Sequence, residues 1–257
     1  MAFSPDYRTY PRASAATTAA VLDAGLRAYM LRVYNWMASG LLVTGIVAYT
    51  IANTGLKQAF YPDYIDQFGR QVTGQTPLAL IAIFAPLAFV LVLSFGVNKL
   101  SRPAVQALYW AFCAVMGASL TSIFVIYTGS SIARVFFITA GTFAAMSIWG
   151  YTTKTDLSRF GSFLMMGLFG IIIAGLVNIF LASSALQFAI SIIGVVVFTG
   201  LTAYDTQRIK SDYVNYAYAE GTDGAAKRSV YDALNLYLNF INLFMLLLQL
   251  LGNRNNN

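Results

Sequence analysis

The sequence is short of charge. Of its 257 residues only 10% are Asp, Glu, Lys or Arg, where a soluble domain carries about 25%. A chain of this length can bury a large core, but in water it would still need a charged surface to cover it. With 58% hydrophobic residues and a mean hydropathy of +0.65, most of it must be solvated by lipid. Histidine is missing altogether, and with it the commonest general base and metal ligand, so Ser-His pairs and HExxH zinc sites are excluded. The single cysteine, Cys113, rules out an intrachain disulfide and a thiolate metal site. The net charge of +6 does not point to nucleic acid, because the basic residues stand singly between apolar runs.

Long apolar runs are what the sequence has in abundance. Stretches near Tyr29–Asn53, Pro77–Val97, Val105–Tyr127, Val135–Tyr151, Gly161–Ala182, Leu186–Tyr204 and Ala233–Leu251 are each close to the roughly 17–25 residues a helix needs to cross hydrocarbon. The expected fold is an all-α polytopic membrane protein of about seven transmembrane helices, occupying residues 29–252. Glycines such as Gly167, Gly170 and Gly175 suit close helix packing. Tyr29, Tyr34, Tyr49, Tyr109, Trp110, Tyr127, Trp149, Tyr151 and Tyr204 gather near span ends, as in an aromatic belt. Residues 1–28 lack the short apolar core of a signal peptide and read as a disordered cytoplasmic tail. The polar stretch Ser211–Ser229 reads as the longest loop, and residues 253–257 as a C-terminal tail.

With the N-terminus inside, all but Lys57, Arg70, Arg134 and Arg254 of the 16 basic residues fall on the inner side, which is the positive-inside asymmetry of a cytoplasmic N-terminus. Seven full spans would then put the C-terminus outside, whereas a re-entrant last segment would leave it inside.

An ionised side chain at mid-bilayer costs roughly 2.5–3.5 kcal/mol on insertion scales, so intramembrane acids mark candidate sites. Asp205 is the one acid read inside the spans; the others fall in tails, loops or span edges. If its helix stopped there, the carboxylate would face the negative end of the helix dipole. Either the helix continues to about Ser211 or a partner holds the acid, and Arg208, three residues on, is placed to do so. One reading is a helix-end ion pair; the other is a half-buried carboxylate that gates or binds a cation. The last span carries Asp232, Asn235, Asn239, Asn242 and Gln249 at steps of three, four and seven, which share a helical face. Such a stripe either lines a polar pathway or bonds helices together. Asp232 enters from the side on which Asp205 leaves, and Asn239 lies about 10 Å further in. Lys99 and Arg102, on the same side, are candidate counter-charges or simple topology charges.

These residues carry a likeness. Tyr204-Asp-Thr-Gln207 resembles the acidic motif that closes the sixth span of the Bax inhibitor-1 (transmembrane BAX inhibitor motif) family. Leu236-Tyr-Leu-Asn-Phe-Ile-Asn-Leu-Phe244 resembles its seventh-span motif. Lys154-Thr-Asp-Leu-Ser-Arg-Phe-Gly161, running on through Asn178, is similar to the bacterial members. The likeness covers most of the chain beyond residue 29, the first two spans mainly by topology. It implies six helices around a central seventh, a bacterial inner (plasma) membrane location, and a pH-sensitive Ca²⁺ leak. It also implies an aspartate pair that shares a proton, one member in each motif. Asp205 matches the first, but the second position is Asn239. Two close carboxylates share a proton because their charges repel; Asp with Asn has no such coupling, so a weaker or acid-shifted pH response is expected. The family's basic latch near the end of the second span corresponds by position to Lys99.

The leading expectation is a cation leak with Asp205 as gate or weak, transient Ca²⁺ ligand, aided by the amide oxygens of Asn235 and Asn239, and with no resident cofactor. The rival is a non-transporting regulator that binds other membrane proteins; the likeness implies stress and death regulation and, in bacteria, the membrane protease machinery. An enzyme is not expected, since neither a Ser-His dyad nor an aspartyl pair is available. A retinal protein is excluded because the last span has no lysine.

Overall fold

The computed structural model describes residues 15–96, 99–217 and 221–255. In chain order these form α1 (Ala15–Asn53), a short α2 (Lys57–Phe60), β1 (Asp63–Ile65), β2 (Gln71–Thr73), α3 (Pro77–Gly96), α4 (Arg102–Ile126), α5 (Gly129–Thr152), α6 (Ser158–Leu181), α7 (Ser184–Asp212) and α8 (Gly221–Leu251). All but α2 are long and apolar enough to cross a membrane. In hydrocarbon every backbone N–H and C=O needs a partner within its own segment, which is why runs this apolar fold as helices.

The packing is three, three and one. Helix α1 packs on α4, which also carries α3; α5 packs on α7, which also carries α6. The two groups scarcely touch each other: α8 lies between them and contacts α1, α4, α5 and α7. It is accordingly the most buried, with 61% of its span enclosed against 6–39% for the other six. The expected arrangement of six helices around a central seventh is therefore present. The seams between the groups, α1 against α5 and α4 against α7, are clefts floored by α8.

The last segment spans rather than re-enters. Asp223 near the start of α8 meets Arg102 at the start of α4. Residues past its end lie on the α4–α5 corner, where Asn253 O accepts from Thr128 N at 3.1 Å and Asn255 N donates to Ile126 O at 2.8 Å.

Four expectations change. The stretch Ser211–Ser229 is not a long loop: α7 runs to Asp212, passes into a π-helical turn, Tyr213–Ala217, and α8 begins at Gly221. Polar residues leaving the bilayer lose the apolar signal without losing the helix. Of the expected tail, residues 1–14 lie outside the described residues, and from Ala15 the chain is already helical. The glycines first singled out are not the close contacts: a side chain at Gly170 or Gly175 would meet open space, and one at Gly167 only the tip of Val197. The tight crossings are elsewhere: at Gly150, where a Cβ would collide with the carbonyl oxygen of Ala203 in α7, and at Gly117, where it would collide with that of Thr44 in α1. The aromatic belt is real only in part, since Tyr29 and Tyr109 are core residues.

On the side where α1 ends, the connection to α3 folds as a small antiparallel hairpin, with Asp63 opposite Thr73. Lys57 Nζ and Thr73 Oγ1 both donate to Asp63, at 2.8 and 2.6 Å. These bonds, the Lys57 one foremost, hold its carboxyl below the usual aspartate range.

Candidate functional site

Continuation of α7 past the sixth apolar run leaves Asp205 about two turns inside the helix end, 7% exposed, against the central helix. Each carboxylate oxygen has a donor. Oδ1 pairs with Arg208 Nη2 at 2.9 Å along α7, and Oδ2 accepts from Asn239 Nδ2 of α8 at 2.7 Å. The contact between Asp205 and the Asn at the second motif position thus exists, and Arg208 is the counter-charge. Arg208 is half-exposed and also lies over the Tyr204 ring, at 5.9 Å from its centroid.

Asp232 makes a second buried carboxylate, which the sequence placed only at a span edge. It is 8% exposed, and Tyr29 of α1 donates to its Oδ2 at 2.5 Å. Arg208 and Arg228 both act on it electrostatically. One guanidinium therefore serves two acids, Asp205 on its own helix and Asp232 on the next. Two charged carboxylates near one half-exposed cation are tolerated because each is also hydrogen-bonded.

The rest of the stripe does not converge. At about 100° per residue, Asp232 and Asn239 lie within about 20° of each other, whereas Asn235, Asn242 and Gln249 trail by about 60–100°. Asn235 and Asn242 are exposed, and Asn242 donates back to Leu238 O at 2.9 Å. Gln249 belongs to a separate group at the far end, accepting from Gln187 Nε2 at 2.8 Å and Ser191 Oγ at 2.9 Å. The candidate counter-charges also lie elsewhere. Arg102 pairs with Asp223 at 3.0 Å on the surface, and Lys99 is exposed just beyond α3, its N–H closing that helix on Gly96 O.

A polar link beside the site had no distinctive signal in the sequence. Tyr34 OH meets Ser147 Oγ at 2.8 Å, and Ser147 Oγ meets Thr206 Oγ1 at 2.9 Å. It joins α1, α5 and α7 at the residue after Asp205. Hydroxyl residues in apolar helices are too common to single out, and the partners lie 113 and 59 positions apart. The Gly150 crossing, one turn from Ser147, is what lets α5 approach α7 closely enough for the second bond.

The arrangement is a buried carboxylate coupling two helices, in a chain whose residues 26–256 match the family model described as inhibitor of apoptosis-promoting Bax1. The chain belongs to the Bax inhibitor-1 family. Among its relatives in that family, a protein of Caulobacter vibrioides is 47% identical over 233 residues, 90% of each chain. Inner membrane protein YbhL of Escherichia coli is 45% identical over 232 residues, 90% of this chain and 94% of YbhL. A Streptococcus pyogenes membrane protein is 32% identical over 230 residues, covering 90% and 94% respectively. This Bax inhibitor-1 member is an integral membrane protein, and its α7–α8 contact joins the two stretches that first suggested the family.

Proposed function

We propose that this protein is a pH-sensitive cation leak pathway, with Ca²⁺ as the cargo, gated at Asp205. The observation that carries the reading is the buried Asp205 carboxylate bonded at once to Arg208 and to Asn239 of the central helix. With both oxygens engaged, α7 and α8 are latched. A proton or a cation competes for the same oxygens, and either one releases the latch. Calcium takes 6–8 oxygen ligands, so one carboxylate with amide oxygens and water makes a weak, transient site suited to passage rather than storage. Asn239 carries no second charge, so the proton response is weaker, or shifted to lower pH, than an aspartate pair would give. The reading assigns no catalytic role to any residue. Positive charge concentrated on the N-terminal side supports a cytoplasmic N-terminus, and likeness to a protein named for the inner membrane supports that membrane as its location.

A second reading, a non-transporting regulator that docks other membrane proteins, draws on a different observation. Four of the five stripe residues are already bonded locally: Asp232 to Tyr29, Asn239 to Asp205, Asn242 to its own helix, Gln249 to α7. Polar groups so satisfied act as glue between helices.

Ca²⁺ flux into proteoliposomes across a pH series separates the two. The leak reading expects wild-type flux above empty vesicles, no pH dependence in Asp205→Asn, and a steeper profile in Asn239→Asp. Absence of flux at every pH from folded protein selects the regulator; an identical pH profile in all three proteins rejects Asp205 as the gate.

A further inference from the structure

We infer that the seam between α1 and α5 is a binding site for one anionic phospholipid, its chain lying in the seam and its phosphate held by Arg27. The seam is two continuous clefts of about 560 and 580 Å³ that share Ala38, Ala140 and Phe240 in their walls. Together they run along α1 from Arg27 to Thr50, about 35 Å at 1.5 Å per residue, against roughly 30 Å of hydrocarbon. The gap is there because the facing residues are small: Ala38 and Gly45 on α1, Ala140 and Ala144 on α5. The floor is the Phe240 ring of α8.

Charge and polarity select the occupant. Between its ends the wall is apolar apart from Tyr34 and Ser147, which bond to each other at 2.8 Å; Tyr151 lies toward the Arg27 end, and Tyr49 and Thr50 at the other. At one mouth stands Arg27, exposed and, among the described residues, without a hydrogen bond or ion pair; Asp23, one turn earlier, makes none with it. The cleft nearer Arg27 runs along α1 as far as Ala38, about 17 Å at 1.5 Å per residue, which matches one leaflet of the roughly 30 Å hydrocarbon. Open to the membrane and ending in a free guanidinium, it fits an acyl chain with a phosphate at its head. It does not fit a polar metabolite, for which the wall between its ends offers only the Tyr34–Ser147 pair, already bonded to each other.

Native mass spectrometry of the full chain, released from micelles holding equal phosphatidylglycerol and phosphatidylcholine, tests this. One phosphatidylglycerol per chain is expected to survive activation that strips phosphatidylcholine. Arg27→Gln should lower that preference about fivefold, the worth of one cation at an anionic lipid surface. Ala140→Trp, which fills the seam, should remove the retained lipid whatever its headgroup. If that variant no longer melts cooperatively, Ala38→Leu takes its place. Equal retention of the two lipids overturns the inference, as does retention that survives filling in a folded variant. A dimer that disappears on filling also overturns it, since the occupant is then a second copy.

Discussion

Removing Asn239's side chain should weaken the protein by an amount that belongs to Asp205. The amide donates to a carboxylate oxygen at 2.7 Å in a seam where Asp205 is 7% exposed. A hydrogen bond to a charged group contributes about 1.5–3 kcal/mol, and its loss leaves a buried oxygen unpaired. Arg208 keeps the other oxygen, so the carboxylate is not left wholly bare and the larger penalty of a broken buried pair, about 3–5 kcal/mol, does not apply. Asn239→Ala is therefore expected to cost about 1.5–3 kcal/mol. In a chain of this size that is roughly 3–12 °C of melting temperature. Asp205→Ala removes the same bond and the ion pair, but Arg208 is 37% exposed and water takes over its charge. Once Asp205 is gone, Asn239→Ala has no charged partner to lose. The double-mutant cycle should show a coupling of about 1.5–3 kcal/mol. The four proteins would be melted in one detergent at one scan rate, since unfolding of such chains is apt to be irreversible. Additivity within about 0.5 kcal/mol would refute the reasoning, because it would mean the two side chains do not act on each other.

Other outcomes follow from the same geometry. Gly150→Ala must push α5 from the Ala203 carbonyl and should destabilise by about 1–3 kcal/mol, while Gly170→Ala, facing open space, should be neutral or gain up to about 1 kcal/mol in helix propensity; equal effects in a thermal melt would contradict the crossing. Asp63's carboxyl is held below its ordinary 3.8 by Lys57 and Thr73. A depressed acid contributes order to the folded state above its unfolded value and loses it as pH falls through the folded one. The hairpin should therefore stay ordered at neutral pH and loosen below about pH 4, seen as broadening of Gln71–Thr73 amide resonances; Asp63→Asn should shrink that transition to the part left by Asp66, whose carboxyl the Arg70 backbone N–H holds low in the same turn.

Seven spans were legible because hydrocarbon demands long apolar runs, and Asp205 was legible because a carboxylate inside such a run is costly. The Asp205–Asn239 contact could be anticipated from depth: one residue leaves the membrane where the other enters. Asp232 was read as a stripe residue at a span edge; its burial was not legible, because the partner that bonds it, Tyr29, lies 203 positions away. The stripe on α8 looked like one face because steps of three and four each land near the residue before; but a step of three falls about 60° short of a full turn and each heptad drifts about 20°, which carries Asn235, Asn242 and Gln249 off the face that meets Asp205. The hairpin was invisible since its strands are only three residues long and largely exposed.

A bundle of two three-helix bodies that meet through one rod has few ways to flex. If one body tilts against the other, the α1–α5 seam widens as the α4–α7 seam narrows, and α8 is the fulcrum. Asp205 and Asn239 sit off that axis, on one body and on the fulcrum itself. Under the proposed gating they would act as a detent, holding the lever in place until something takes hold of the carboxylate.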